Sequence, residues 1–401
     1  MKSVQGGITA VPGFLASGIH SGIKKIKAPD LAMIFSKDPC TAAGLFTTNR
    51  VTAAQVRLTR EHVKSGTLQA IVANSGNANA CTGSHGEVVA REMAELAACH
   101  LGISSEQVAV ASTGVIGDPP PIETLRTGIP QAVKRLSSKG GRNAARAIMT
   151  TDRRPKEAAI RVDIAGRIVT LGGIAKGSGM IHPNMATMLA FLTTDLSIES
   201  SRLREMLTSA VNRSFNMITV DGETSTNDMV LCLANGRARN ADLERSAGAR
   251  LKFQAALDAV CIRLAKMIVQ DGEGATKLVE VRVRGAADSH QAKIIAMRVA
   301  NSNLVKTAFF GEDANWGRIM AAIGAGGVEV NPDRIDLFFD RVALVKNGIG
   351  LGKAADQRAT RVLRQRSFTL TIDLHAGESS ATAWTCDLTN EYIRINAAYR
   401  T

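Results

Sequence analysis

The sequence predicts a layered α+β fold, a sandwich of antiparallel sheets covered by helices. Three observations carry this expectation. Apolar residues at helical spacing, with start and stop signals, mark several amphipathic helices, and short β-rich runs alternate as half-buried strands do. The two kinds of segment also follow one another without the regular strand–helix–strand repeat of a doubly wound parallel sheet. With 401 residues, 45% of them hydrophobic, 21% charged and only 10 Pro, the chain can bury a large core and is neither disordered, collagen-like nor coiled-coil.

Taken in chain order, Ala70 to Ala73 is the first β-rich run. Ser84 and Glu87 have capping-box spacing, and Val89, Met93, Leu96 and Ala97 follow on one helical face until Gly102 stops it. Asp118 and Pro119 open a second helix carrying Ile122, Leu125, Ile129, Ala132, Val133 and Leu136, which Gly128 and Pro130 are expected to kink or break. Ile160 to Ile164 alternates as a strand, and the segments Leu203 to Val211 and Leu251 to Ile268 read as helices. Val279 to Val283 and Lys293 to Ala300 read as strands. Phe368 to Leu374 and Ala381 to Leu388 flank a short turn, as the arms of a hairpin would. The glycine cluster Asn347 to Lys353 ends in Ala354 and lacks Walker spacing, so it reads as a flexible turn and not as a phosphate loop.

Lys plus Arg (49) exceeds Asp plus Glu (36), for a net charge of +13, which raises the possibility of a polyanionic partner. Aromatics, however, are only 4%, with two Trp and two Tyr, too few for the stacking platforms of a nucleic-acid binder. The basic residues are scattered, the densest groups being Lys24, Lys25 and Lys27, and Arg361, Arg364 and Arg366, so they read as solvated surface. Six widely spaced cysteines without a C-x-x-C pattern suggest reduced thiols in the cytoplasm. The first 25 residues are interrupted by Gly6, Gly7, Pro12 and His20 where a secretory leader needs an unbroken apolar run, and no window approaches a membrane span. Neither export, membrane insertion nor nucleic-acid binding is therefore expected.

Common catalytic and metal motifs are missing from the sequence: there is no H-E-x-x-H, no G-x-S-x-G, and the seven His never pair at metal spacing. What stands out is Gly172 to Leu192, a glycine-rich, mobile segment that passes through a Pro183-Asn184 turn to Thr187 at the head of an apolar run. A hydroxyl there, preceded by the small Ala186, is placed as the nucleophile of a self-cleaving precursor. Thr187 Oγ would attack the Ala186 carbonyl, and hydrolysis of the resulting ester would free Thr187 as a new amino terminus. The freed amine, with a pKa of about 8, could then act as base for its own hydroxyl. On the physics of the residues alone the ordinary reading is favoured, Thr187 being a β-branched strand residue behind a loop of glycines.

The stretch Lys176 to Leu189 (KGSGMIHPNMATML) resembles the signature of the ornithine acetyltransferase family, the bifunctional glutamate N-acetyltransferases of arginine biosynthesis. Further blocks agree along the chain: Phe46 to Val51 (FTTNRV), Asn74 to Cys81 (NSGNANAC), Ser112 to Gly117 (STGVIG), Ile148 to Asp152 (IMTTD), Val220 to Asp228 (VDGETSTND), Gly311 to Arg318 (GEDANWGR) and Ile395 to Thr401 (INAAYRT). The resemblance implies an N-terminal-nucleophile type of architecture, with a precursor cut between Ala186 and Thr187. An α chain (1–186) and a β chain (187–401) would then share one fold and one site and assemble as an α2β2 heterotetramer. It further implies that Thr187 is acetylated by N-acetylornithine and deacetylated by glutamate in a ping-pong cycle. Thr113 and Gly114 match the family's oxyanion pair. Substrate contacts carry over to Thr150 (Thr151 if the register is one residue off), Lys176, Thr187, Glu273, Asn396 and the terminal Thr401. Lys176 would meet the substrate's α-carboxylate and Glu273 the cationic side chain of ornithine. No metal and no resident cofactor are implied, and acetyl-CoA is a further candidate donor. Gln55, Glu223, Met229 and Ala314 depart from the family's usual residues, none at an assigned catalytic position. The rival enzyme reading is an N-terminal-nucleophile amidase or aminopeptidase of similar fold, in which water replaces glutamate as acceptor.

Overall fold

The computed structural model describes residues 1–182, 188–240, 243 and 246–398. Its larger sheet contains β1 (Lys2–Ser3), β2 (Phe14–Ile19), β3 (Leu31–Phe46), β4 (Thr67–Asn77), β5 (Val108–Val115), β6 (Lys156–Ile164), β7 (Arg167–Lys176), β8 (Leu189–Thr194) and β9 (Met229–Ala234). The spatial order is β1-β6-β7-β8-β9-β3-β4-β5, with β2 also paired to β3. All its pairs are antiparallel except β4 with β5 and β8 with β9. The smaller sheet holds β10 (Leu278–Ala286), β11 (Asp336–Phe339), β12 (Val342–Lys346), β13 (Ile349–Gly350), β14 (Ser367–Asp373) and β15 (Ser379–Cys386). The helices are α1 (Ala54–Val63), α2 (Gly83–Leu101), α3 (Ile122–Lys134), α4 (Gly141–Ala147), α5 (Ser200–Asn212), α6 (Ala247–Gln270), α7 (Ser289–Ala300), α8 (Asn303–Phe310), α9 (Trp316–Gly324), α10 (Lys353–Leu363) and α11 (Asn390–Ala398).

β3 is long because it serves two halves of the larger sheet. Leu31 to Phe35 pair with β4, whereas Thr41 to Phe46 pair with β9. The register breaks between Phe35 and Cys40, where Pro39, which has no N–H for a ladder, is accommodated. Alternation along the strands then divides the side chains. Ile34, Ile71 and Ala109 from one half share a core with Ile174, Phe191 and Leu231 from the other, so the sheet folds over on itself. On the outer faces, Met33, Val72 and Val110 pack against Val89, Met93, Leu125 and Ile129 of α2 and α3. Leu171, Leu192 and Cys232 pack against Leu207, Leu257 and Leu264 of α5 and α6. The result is an α-β-β-α sandwich, the layered α+β fold expected, with three parallel pairs (the third between β10 and β14) among otherwise antiparallel ones.

Several local expectations need correction. Residues 293–300 are the body of α7, not a strand: Asp288 caps its start by accepting the Gln291 N–H, and Ala292, Ile295, Ala296 and Val299 are buried at helical spacing. β14 and β15 are not a hairpin, because β10 lies between them, parallel to the first and antiparallel to the second. α2 begins at Gly83, ahead of Ser84, so the capping box does not form, although Val89, Met93 and Ala97 are buried as expected. α3 starts at Ile122 and runs through Gly128 and Pro130 without interruption. Gly172 and Gly173 belong to β7 and not to a mobile loop; a Cβ on Gly172 would collide with the Gly7 carbonyl oxygen, so the close approach of two backbones demands glycine there. Among the described residues, no helix is long and apolar enough to cross a membrane.

Candidate active site

The ends of β5 and β7, the turn after β4 and the segment before β9 open onto one cleft. The loop after α4, the turn after α6 and the helix α11 complete its walls. Six of the residues singled out from sequence line it together: Thr113, Gly114, Thr150, Lys176, Glu273 and Asn396. Thr151 lines it too, so both registers at that position reach the cleft. Ala186, Thr187 and Thr401 lie outside the described residues. The residue that follows Thr187, Met188, is buried, and its N–H donates to Asp228 Oδ1 at 2.8 Å.

A buried charge network sets the polar floor. Asp152 Oδ1 accepts from Lys156 Nζ (2.6 Å) and the Gly177 N–H (2.8 Å), and its Oδ2 accepts from the Thr150 N–H (3.0 Å). Burial alone would lift this carboxyl, but Lys156 and Lys176 together with the Gly177 bond hold it down at about 2. Lys156 also donates to Asp271 Oδ2 (2.7 Å), which takes the Arg153 and Arg154 N–H groups as well. The network thereby fixes the two loops that carry Thr150 and Glu273.

Lys176, at the end of β7, is 2% exposed and donates from Nζ to Thr113 Oγ1 at 3.2 Å. Burial pushes this ammonium below its ordinary value, against the pull of Asp152. The Thr113 oxygen is occupied as an acceptor, so its own proton can be donated into the cleft. Gly114, the next residue, has φ +136°, and a Cβ there would strike the Gly76 carbonyl carbon. Only glycine allows the turn that sets this Thr-Gly pair beside the β4 bulge.

The opposite wall is acidic. Asn396 Nδ2 donates to Glu273 Oε2 at 2.8 Å, and the Glu273 N–H donates to the Ser178 carbonyl at 2.9 Å. Asp221 accepts the N–H groups of Met180 (2.6 Å) and Ile181 (2.8 Å), holding Met180 at φ +56°. Burial nonetheless raises the Asp221 carboxyl. Burial and the nearby Asp221 and Glu273 likewise raise the phenol of Tyr392. Asp221, Glu223, Ser225, Asn227 and Tyr392 all line the cleft without having been assigned roles from sequence. Four of them fall in the polar run 221–228 directly ahead of the apolar strand β9, and that abrupt change of character was the available signal. Asn227 ties the site together by donating Nδ2 to both the Ala78 (2.6 Å) and Ser112 (2.8 Å) carbonyls.

A four-layered α+β sandwich whose strand ends frame a cleft with a lysine-bound hydroxyl on one wall and carboxylates on the other defines a protein equipped for acyl or amide chemistry on small charged molecules. The chain belongs to the ArgJ family, which it matches over residues 15–401. The arginine biosynthesis bifunctional protein ArgJ of Symbiobacterium thermophilum is 55% identical over 405 residues, covering 100% of both chains. Its counterpart of the same name in Geobacter sulfurreducens is 52% identical over 392 residues, covering 98% of this chain and 100% of that one. Among solved structures, the arginine biosynthesis bifunctional protein argJ from Bacillus halodurans is 45% identical with a TM-score of 0.51, covering 52% of this chain and 98% of that one. The resemblance seen in the sequence motifs is thus borne out at the level of the family.

Proposed function

We propose that this chain is a self-processing acetyltransferase that moves an acetyl group from N-acetylornithine to glutamate, with Thr187 as the nucleophile. The observation that carries the reading is the pairing of Lys176 Nζ with Thr113 Oγ1, next to Gly114 and in the same cleft as Glu273. In this reading Thr187 Oγ first attacks the Ala186 carbonyl, and water hydrolyses the ester to leave residues 1–186 and 187–401. The freed amine then takes the Thr187 hydroxyl proton as Oγ attacks the acetyl carbon of N-acetylornithine. The tetrahedral oxyanion is met by the Thr113 hydroxyl, polarised by Lys176, and by Gly114. Ornithine leaves with the proton, and the glutamate amine attacks the acetyl-Thr187 ester by the same path in reverse. Glu273, steadied by Asn396, faces the cationic side chain of the ornithine substrate, and Thr150 adds a polar contact. Lys176, already engaged with Thr113, serves the oxyanion in addition to any substrate α-carboxylate.

Two findings support this reading. Relatives covering the full chain carry the name arginine biosynthesis bifunctional protein. The Bacillus halodurans chain accounts for about half of this one, as one piece of a cut precursor would. Two of each piece form the proposed α2β2 assembly. Intact mass of the purified protein is expected to give two polypeptides meeting at Ala186 and Thr187, and Thr187→Ala a single inactive chain. A fully active, uncut wild-type protein overturns the mechanism. Acetate released as fast as N-acetylglutamate forms would replace the transferase by a hydrolase.

A further inference from the structure

Asp221 lines the cleft with Glu273, yet the mechanism above gives it no part. Its carboxylate is engaged by backbone: Oδ2 accepts the Met180 N–H at 2.6 Å, and Oδ1 accepts the N–H groups of Ile181 at 2.8 Å and Glu223 at 3.3 Å. The Tyr392 side chain interacts with the same group. A carboxylate offers about four acceptor sites, so little of this one is left for a substrate. Glu273 differs, since among the described residues its carboxylate takes a hydrogen bond from Asn396 Nδ2 alone.

The segment that Asp221 grips is the wall against which Glu273 rests. Ser178 anchors one end, donating from Oγ to the Asp271 carbonyl at 2.7 Å and accepting the Glu273 N–H at 2.9 Å. Ile181 anchors the other: it is fully buried, and its carbonyl accepts the Val220 N–H at 2.9 Å and the Thr219 hydroxyl at 3.1 Å. Between them Met180 has φ +56°, a conformation that residues other than glycine rarely adopt. The Met180 and Ile181 N–H groups belong to the two peptide planes on either side of the Met180 Cα, so one carboxylate fixes both of its dihedrals. Gly179, the residue before, lies so close to Glu273 that a Cβ on it would overlap the carboxylate.

Resting on the reading that Glu273 meets the cationic side chain of the donor, we propose that Asp221 is a positioning residue for donor binding: it holds residues 179–181 in place, and they in turn hold the Glu273 carboxylate. With the chain cut as proposed above, the gripping carboxylate belongs to the second piece and the gripped segment to the first. Recognition of the donor is then set by a contact between the two pieces, made by a residue that does not itself touch the substrate.

The test is a double-mutant cycle. Asp221→Ala removes the grip, whereas Asp221→Asn keeps one acceptor oxygen for it. Asp221→Ala is expected to raise KM for N-acetylornithine about tenfold or more, with kcat and KM for glutamate within about threefold of wild type, and Asp221→Asn to raise it less. Joined to Glu273→Gln, Asp221→Ala should raise that KM by less than about twofold further, because a residue that acts through Glu273 then has nothing left to act on. Additive effects overturn the proposal by giving Asp221 its own action on the substrate, through contact or through its charge. An unchanged KM in Asp221→Ala overturns it as well, and so do variants that fold but stay uncut, which would assign the carboxylate to the cleavage step. The same cycle run with Asp221→Asn decides the matter where Asp221→Ala does not fold. Glu273→Gln alone with a wild-type KM for N-acetylornithine, in contrast, sinks the reading of Glu273 itself, so the two failures are distinct.

Discussion

At the scale of single residues, the site depends on a few buried charges whose partners are specific. Asp152 contributes through ionisation. Its carboxyl lies at about 2 in the folded protein against roughly 3.9 in an unfolded chain, so the folded state favours the charged form. This contribution, on the order of 2 kcal/mol, is fully present above about pH 4 and is lost as the pH falls toward 2. Asp152→Asn takes one of two carboxylates from Lys156, leaving it Asp271, and removes the main counter-charge of Lys176, and is expected to cost about 3 to 5 kcal/mol at neutral pH. Denaturant titrations of both proteins at pH 7 and pH 3 check this, the gap between them narrowing at pH 3. Glu273 acts on substrate instead. Glu273→Gln can still accept from Asn396 Nδ2, so the fold is expected to hold while KM for N-acetylornithine rises tenfold or more and KM for glutamate changes far less. Equal KM changes for both substrates would remove the assigned pairing.

At the scale of elements, glycines decide how closely the walls approach. Gly179 touches no substrate group in the proposed mechanism, but a Cβ there would run into the Glu273 carboxylate. Gly179→Ala is therefore expected to displace Glu273 and reproduce the KM defect of Glu273→Gln with a nearly unchanged melting temperature, whereas an unaltered KM would show that Glu273 has slack. The same scale shows what could be read from sequence. α5, α6, β6 and β10 were legible because their apolar spacing is set by one buried face. Residues 293–300 misled because Ile294, Ile295 and Val299 are β-branched, and propensity yielded to the tertiary burial of Ala292, Ala296 and Val299. The apparent hairpin of β14 and β15 failed because adjacency in sequence does not report a third strand, β10, inserted from about 90 residues earlier. In the site, Lys176 and Thr113 were legible through motif blocks. The bond between them was not, since it joins the ends of β5 and β7, strands that are not neighbours in the sheet and whose ends converge only in the folded molecule.

At the scale of the whole molecule, the topology bears on what the proposed cut would do. Strands β1 to β7 precede Thr187, and β8 and β9 follow it, yet in the sheet β8 and β9 lie between β7 and β3. The second piece is therefore hydrogen-bonded on both sides to the first, through the β7–β8 pairs Leu171 to Lys176 with Thr194 to Leu189, and the β3–β9 pairs Thr41 to Phe46 with Ala234 to Met229. The core between the two halves of the sheet mixes Ile34 and Ile71 with Phe191 and Leu231 in the same way. Breaking the chain at residue 186 removes one covalent bond and leaves these ladders and this core intact, so the pieces have no low-cost way to separate. They are expected to elute as one species in gel filtration and at high salt, and to part only through the same denaturant transition that abolishes secondary structure. Removing denaturant from the separated pieces should return activity poorly, because the central strands of the sheet would have to be inserted between preformed neighbours. Dissociation of the pieces under native conditions, with their secondary structure retained, would contradict this interleaved sheet.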